Sequence, residues 1–367
     1  MKFSVNAAAL PGLSQLMDRR WQDLTDGRGY VATNTQIEPG QEGILNFLWG
    51  QHEKIVGAVD DFLASVADGY AAPYATAIRE AAGYYQRTDA RAAARVDATM
   101  PGVDDPGKHD ASSARADMAL GAGVFADRVH PTDRYIAPAD HGADAGSGFT
   151  TLDTLSPTSD VREIIWQVTS IAVDFGLLDH PYDVLAEAVK PFSGDWTAFA
   201  RCADTLQHLA DGLADSGTAV LDGVRTVPRV WTGNAADQCA GGLARFAGDL
   251  TVAAGPLRAT GEAYASTAEQ VRAQAEALAA LLTILIDEVV EVALDTVSGG
   301  LFTQVQVVTM VEDTVQTVLK MRRVVAAAWD VARAFVENGS VATANLGVIR
   351  DNHPLPALTA DLPSLPR

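Results

Sequence analysis

A long series of apolar residues with heptad-like spacing constrains the fold of this chain more than any other feature. Beyond Gly233 the series runs through Cys239, Leu243, Phe246, Leu250, Leu257, Tyr264, Ala268, Val271, Ala275, Leu278, Leu282 and Leu285. Such spacing, typical of coiled coils, gathers apolar side chains into one stripe along a helix. An unbroken helix over residues 234–284 would be on the order of 75 Å long. Because another helix must cover this stripe, we predict an all-α fold of elongated antiparallel helical hairpins.

Breaks in the apolar pattern indicate where the other helices begin and end. A second long arm precedes Gly233 and ends at Pro228, while Gly255-Pro256 predicts a kink in the arm that follows. Near the start, steps of three and four predict two further helices. Their apolar residues are Leu10, Leu13, Met17, Trp21 and Leu24, then Leu45, Leu48, Ile55, Val59, Phe62 and Val66. We therefore predict a helical hairpin over residues 1–98, kinked or interrupted at Pro73.

Composition divides the rest of the chain. Residues 99–158 are rich in Gly, Pro and Asp and hold too little apolar surface to repay ordering, which predicts a disordered linker. Asp160, with Glu163 three positions later, matches a capping box and predicts the start of the next helix. We assign residues 159–340 to a long helical domain and residues 341–367 to a Pro-rich, disordered tail.

Net charge restricts the partners of this chain. At −20, the protein would be repelled by a phosphate backbone or by anionic lipid, so we expect no binding to nucleic acid. The first residues contain no continuous apolar stretch that would act as a secretory leader. The most apolar stretch, residues 278–294, carries Asp287, Glu288 and Glu291, each costly in hydrocarbon. We expect synthesis in the cytoplasm, no cleaved signal peptide and no stable membrane span.

Side chains that could act in catalysis or bind a metal are few, and their positions in the sequence do not favour a shared site. Cys202 and Cys239 are the only cysteines, and their positions along the two arms favour core packing or reactive thiols over a bridge. His109, His130 and His141 lie in the predicted linker, which lacks the fixed geometry that a metal site requires. We find no Ser/His/Asp order, phosphate-binding glycine loop or paired carboxylates. The prediction is a protein that is not an enzyme and that has no cofactor and no metal.

Two short motifs stand where helices end. Trp231-Thr232-Gly233 lies between the two long arms, where Gly233 supplies the positive φ of a tight turn and Asn234 is placed to cap the next helix. We expect Trp231 to project from the tip of the hairpin as a binding anchor. Tyr85 and Asp89 are four positions apart near the end of another helix, which would place both on one face.

These motifs and their settings resemble the actinobacterial type VII (ESX) secretion system. A Trp-x-Gly turn between long helices is typical of small secreted WxG proteins and of PPE proteins. Tyr-x-x-x-Asp at the end of a helical hairpin is typical of PE-like partners and of the ESX secretion-associated proteins, EspB and EspC among them. The resemblance implies a PE/Esp-like hairpin over residues 1–98 and a WxG/PPE-like domain over 159–340. It also implies a secretion signal made of Trp231, Gly233, Tyr85 and Asp89.

The resemblance implies a secreted or cell-surface protein, exported folded, that acts through protein–protein recognition as an effector, structural component or carrier. A secretion ATPase or a chaperone would read the signal, and a helical partner or further copies of the chain would pack on the apolar faces. One alternative is the delivery module of a polymorphic toxin that lacks its catalytic domain. Another is a self-assembling envelope or pore protein, suggested by the apolar stretch over residues 278–319.

Overall fold

Helices make up nearly all of the ordered architecture in the computed structural model, which describes residues 3–38, 42–100, 116–141, 159–297 and 304–351. The structure is 82% helical, which confirms the all-α prediction. The helices are α1 (Leu10–Asn34), α2 (Ile44–Val66), α3 (Ala72–Arg87), α4 (Ala90–Asp97), α5 (Ser159–Asp174), α6 (Trp196–Val230), α7 (Asn234–Val297) and α8 (Gln304–Asp351). Two short strands, β1 (Ser4–Val5) and β2 (Trp231–Thr232), pair in antiparallel fashion.

The hairpin of α6 and α7 forms the spine of the protein. The predicted seam of α7 is buried throughout its described length, from Leu243 through Leu257 and Val271 to Leu285. Pro256, where the sequence predicts a kink, lies inside α7, and the helix continues on both sides of it. In α8, Val311, Val315 and Val318 are buried as well, and α8 packs along α7 and α2. Residues 298–303, between α7 and α8, lie outside the described residues.

Helices α1, α2 and α3 pack against this spine within one continuous core. A π-helical turn, Ala67–Ala71, separates α2 from α3 directly before Pro73. Proline lacks the backbone N–H that would donate to the preceding turn of a regular helix. A wider π-helical turn accommodates the loss of this hydrogen bond, and the chain keeps its direction. The predicted interruption is therefore present as a local widening. Ser14 of α1 donates to the carbonyl of Ala75 at 2.9 Å, which ties α1 to α3.

The disordered linker predicted over residues 99–158 is wrong for residues 116–141. This segment, the strap, contains the 3-10 turns Ala122–Phe125 and Pro131–Arg134 and lies along α1 and α6. Asp127 of the strap accepts hydrogen bonds from Arg19 and Arg20, and Phe125 is buried. The ion pairs of Asp127 and the burial of Phe125 help to hold the strap in place, and Leu120 and Val124 also pack against the core. Residues 101–115 and 142–158 lie outside the described part of the chain.

Two predicted boundaries also shift. Residues 341–351, assigned to the tail, continue α8 because Leu346 is buried against the rest of the core. Residues 352–367 are outside the described ranges. Helix α5 begins at Ser159, one residue before the predicted N-cap Asp160. A search of the described helices finds none with enough length and apolar character to cross a membrane.

Candidate recognition site at the turn between the long helices

The turn between α6 and α7 is held by the beginning of the chain. Trp231 pairs with Val5, and Thr232 pairs with Ser4, in the two-stranded sheet. The backbone N–H of Asn6 donates to the carbonyl of Val230 at 2.7 Å, extending this contact into the end of α6. The turn is therefore covered by strand β1 rather than open to solvent.

Asp97, at the end of α4, caps the start of α7. Its carboxylate oxygens accept from the backbone N–H groups of Asn234 at 3.0 Å and Ala235 at 2.9 Å. These groups would otherwise lack partners at a helix N-terminus. The prediction that Asn234 caps this helix is wrong, because α7 begins at Asn234 itself and the side-chain amide donates to the carbonyls of Asp97 and Met100. No motif in the sequence marked Asp97 for this role.

Gly233 fits both the backbone and the packing at this turn. Its φ of +131° lies in the region that favours glycine, as the sequence predicted. A Cβ at this position would lie 2.6 Å from the nearer carboxylate oxygen of Asp97. Glycine therefore allows the turn and also allows Asp97 to approach it.

Trp231 is buried, with only 4% of its surface exposed, so the prediction of a projecting indole anchor is wrong. Its ring meets that of Tyr85 edge-on, with centroids 5.7 Å apart and planes at 67°. The two motifs, far apart in the sequence, are therefore in direct contact through these rings. The indole Nε1 is buried with no hydrogen bond of good geometry among the described residues.

Tyr85 is half-buried and joins Trp231 to the beginning of the chain. Its ring also lies 5.6 Å from that of Phe3 and 5.4 Å from that of Tyr84. Burial raises the pKa of the Tyr85 phenol well above its usual range, and the nearby Asp97 carboxylate raises the pKa further. Tyr85 therefore acts as a packed aromatic ring with a neutral polar tip.

Asp89 does not share a helix with Tyr85, contrary to the prediction. Helix α3 ends at Arg87, Thr88 is extended, and Asp89 is the N-cap of α4. Its Oδ1 accepts from the N–H groups of Arg91 and Ala92, both at 2.9 Å. Hydrogen bonds from Ala92 and then Arg91 lower the pKa of Asp89, although its side chain is fully exposed. A carboxylate is therefore displayed at the bend between α3 and α4.

The cysteines and histidines form no second site within the described ranges. Cys202 and Cys239 are free and buried, and burial raises the pKa of each thiol to about 12, so they pack in the core rather than react. Among the described residues, no three His, Cys, Asp or Glu side chains gather as metal ligands would. His141 bonds Asp204 at 2.9 Å, His130 is exposed, and His109 lies outside the described residues.

Comparisons with known proteins add nothing to this site. No protein-family model, curated protein or solved structure matches the chain.

Proposed function

We propose that this chain is a substrate of an actinobacterial type VII secretion system, exported as a folded helical protein. After export it acts by protein–protein recognition, as an effector or as a structural or carrier protein. The observation that carries the proposal is the edge-on contact between Tyr85 and Trp231, which unites two motifs distant in sequence at one place. The combination of a Trp-x-Gly turn between long helices with this tyrosine supports the proposal.

The geometry changes how such a signal would work. Because Trp231 is buried, it braces the site from inside instead of contacting a partner directly. The groups available to a partner are the Asp89 carboxylate and the exposed parts of Tyr84 and Tyr85. A secretion ATPase or a chaperone would therefore read the bend between α3 and α4, whose position depends on the turn behind it.

Export of a tagged protein from a type VII-competent actinobacterium tests the proposal. Asp89→Ser keeps an oxygen that can cap α4 but removes the carboxylate, so we expect this variant to remain in the cell lysate. Trp231→Phe keeps an aromatic brace and should still be exported. The amount of each protein in medium and lysate is the measurement.

Asp195→Ser is the matched control, since Asp195 is the exposed N-cap of α6 and accepts from the backbone N–H of Ala198. This variant should reach the medium as efficiently as the unchanged protein. Equal release of Asp89→Ser and Asp195→Ser would contradict a signal at the bend. Failure of the unchanged protein to leave the cell would contradict the proposed function as a whole.

The described residues give less support to the alternative of a self-assembling pore. That idea depended on the apolar stretch over residues 278–319 remaining available to other copies. Leu282 and Leu285 of α7 are fully buried, as is Val318 of α8, in the single core that α7 and α8 share. In its described part most of the apolar side of the stretch is covered by the same chain, and Ile284 is the large apolar residue there that stays exposed.

A further inference from the structure

Helix α4 has an aspartate at each end, and the two carboxylates serve different helices. Asp89 caps α4 itself, whereas Asp97, the last residue of α4, caps α7. The helix between them is eight residues long, Ala90–Asp97. Asp89 thus fixes the residue at which α4 begins. The length of α4 then sets the position of Asp97 relative to α7.

The Asp97 carboxylate is buried, with 6% of the residue exposed, and both of its oxygens are engaged by α7. The contact is reciprocal, because the side-chain amide of Asn234 donates back to the Asp97 carbonyl at 3.2 Å. Only a glycine at position 233 leaves room for this approach. Together these bonds form a clasp between the end of α4 and the start of α7.

Other contacts between the two motifs are less directional. The Tyr85 and Trp231 rings touch edge-on, and the indole Nε1 has no hydrogen bond of good geometry to a described residue. Strands β1 and β2 are each two residues long and hold the turn to the beginning of the chain, not to α3 or α4. The clasp is a directional link, made of backbone and carboxylate hydrogen bonds, between the end of α4 and the Trp-x-Gly turn.

We propose that Asp97 is the positioning residue of the recognition site, coupling Asp89 and Tyr85 to Trp231 and Gly233 through α4. The proposal rests on the proposed function for its biological meaning, although the clasp itself is testable without export. Loss of the Asp97 carboxylate releases the end of α4 and leaves the N–H groups of Asn234 and Ala235 without acceptors. The exposed Asp89 then no longer has a fixed position relative to the turn.

Limited trypsin digestion of the whole protein tests the clasp, because Arg91 and Arg95 are exposed on α4. We expect Asp97→Ala to raise the cleavage rate after these arginines about fivefold, as expected for loss of one helix cap. Hydrogen exchange at the amides of Asn234 and Ala235 should accelerate in parallel. Asp97→Asn, whose amide oxygen can still accept, should restore part of the protection.

Asp195→Ala controls for the general cost of losing a cap. It removes the equivalent aspartate at the start of α6, the end of that helix remote from the turn. This variant should leave cleavage in α4 unchanged. Equal acceleration in Asp97→Ala and Asp195→Ala, or no acceleration in Asp97→Ala, would overturn the clasp.

Export then separates the two proposals. If both the clasp and the secretion signal exist as proposed, Asp97→Ala is retained in the cell lysate, whereas Asp195→Ala appears in the medium. Faster cleavage of Asp97→Ala combined with normal export would keep the clasp but remove its role in recognition. If the unchanged protein is not exported, the proposed function fails, and the digestion result still decides the clasp.

Discussion

Gly233 is a residue at which backbone conformation and tertiary packing impose the same requirement. Its φ of +131° is strained for any residue with a Cβ. The space where a Cβ would stand is already occupied by the Asp97 carboxylate, 2.6 Å away. An alanine would thus have to distort the turn and displace the cap of α7 together.

Gly233→Ala should lower the free energy of unfolding by about 1–3 kcal/mol, the usual cost of one strained backbone position. Urea denaturation followed by circular dichroism measures this change. Gly29→Ala is the control, because Gly29 is exposed within α1 and a Cβ there would meet no atom within 4 Å. This variant should be neutral or more stable, and an equal loss in both variants would contradict the special role of Gly233.

Helix α7 shows how the neighbours of a helix determine which residues it tolerates. Gly241 and Gly242 are adjacent, but they face different surroundings. A Cβ on Gly241 would have open space around it to at least 4 Å, whereas a Cβ on Gly242 would lie 1.9 Å from the Tyr74 hydroxyl. Tyr74 is itself buried, so its ring has little room to retreat.

The two substitutions should therefore have opposite signs. Gly241→Ala should stabilise the protein by up to about 1 kcal/mol, because alanine forms helix more readily than glycine. Gly242→Ala should destabilise it by about 1–3 kcal/mol, since the added carbon forces α3 away from α7. Differential scanning calorimetry of both variants checks the prediction, and a shift of the same sign in both would refute it.

His52 lies where four long helices of the bundle meet. Its Nδ1 is 2.8 Å from the Tyr264 hydroxyl, which joins α2 to α7. The Tyr264 ring packs in turn on Phe199 of α6 and Phe335 of α8, with centroids 4.7 and 4.8 Å away. Burial of this histidine therefore depends on all four helices being assembled.

Burial lowers the pKa of His52 from 6.5 to about 4. The unfolded chain takes up a proton near pH 6.5, but the folded protein does not until about pH 4, so stability should fall as pH drops through this window. The loss amounts to up to about 3 kcal/mol. His52→Asn should flatten this part of the stability curve, measured by urea denaturation at several pH values.

Asp23 contributes with the opposite sign over part of the same range. Burial raises its pKa from 3.8 to about 6, so its contribution to stability is full only below pH 3.8 and is lost as the pH rises through about 6. The contribution of His52 must therefore be measured as the difference in free energy of unfolding between His52→Asn and the unchanged protein at each pH. His130→Asn, which removes an exposed histidine outside the helical bundle, is the control variant.

Within the site, sequence reasoning reached Trp231, Gly233 and Tyr85 but misjudged their surroundings. The contact between Tyr85 and Trp231 follows from the packing of two predicted hairpins, and the positive φ of Gly233 follows from a tight turn. The burial of Trp231 could not be read from the motif, because strand β1 covers it and two residues carry no periodic signal. Asp97 was missed for a similar reason, since a cap for a distant helix leaves no local pattern.

Apolar spacing was enough to establish an all-α fold and the seam of α7, because a helix with one apolar stripe must bury that stripe. The tertiary structure alone decided that the strap over residues 116–141 is packed and that α8 continues through residues 341–351. It also placed the Asp97 clasp on α7. Each of these features joins residues far apart in the chain, through the ion pairs of Asp127, the burial of Leu346 and the hydrogen bonds of Asp97. Such contacts become favourable only after the helices have already brought their partners together.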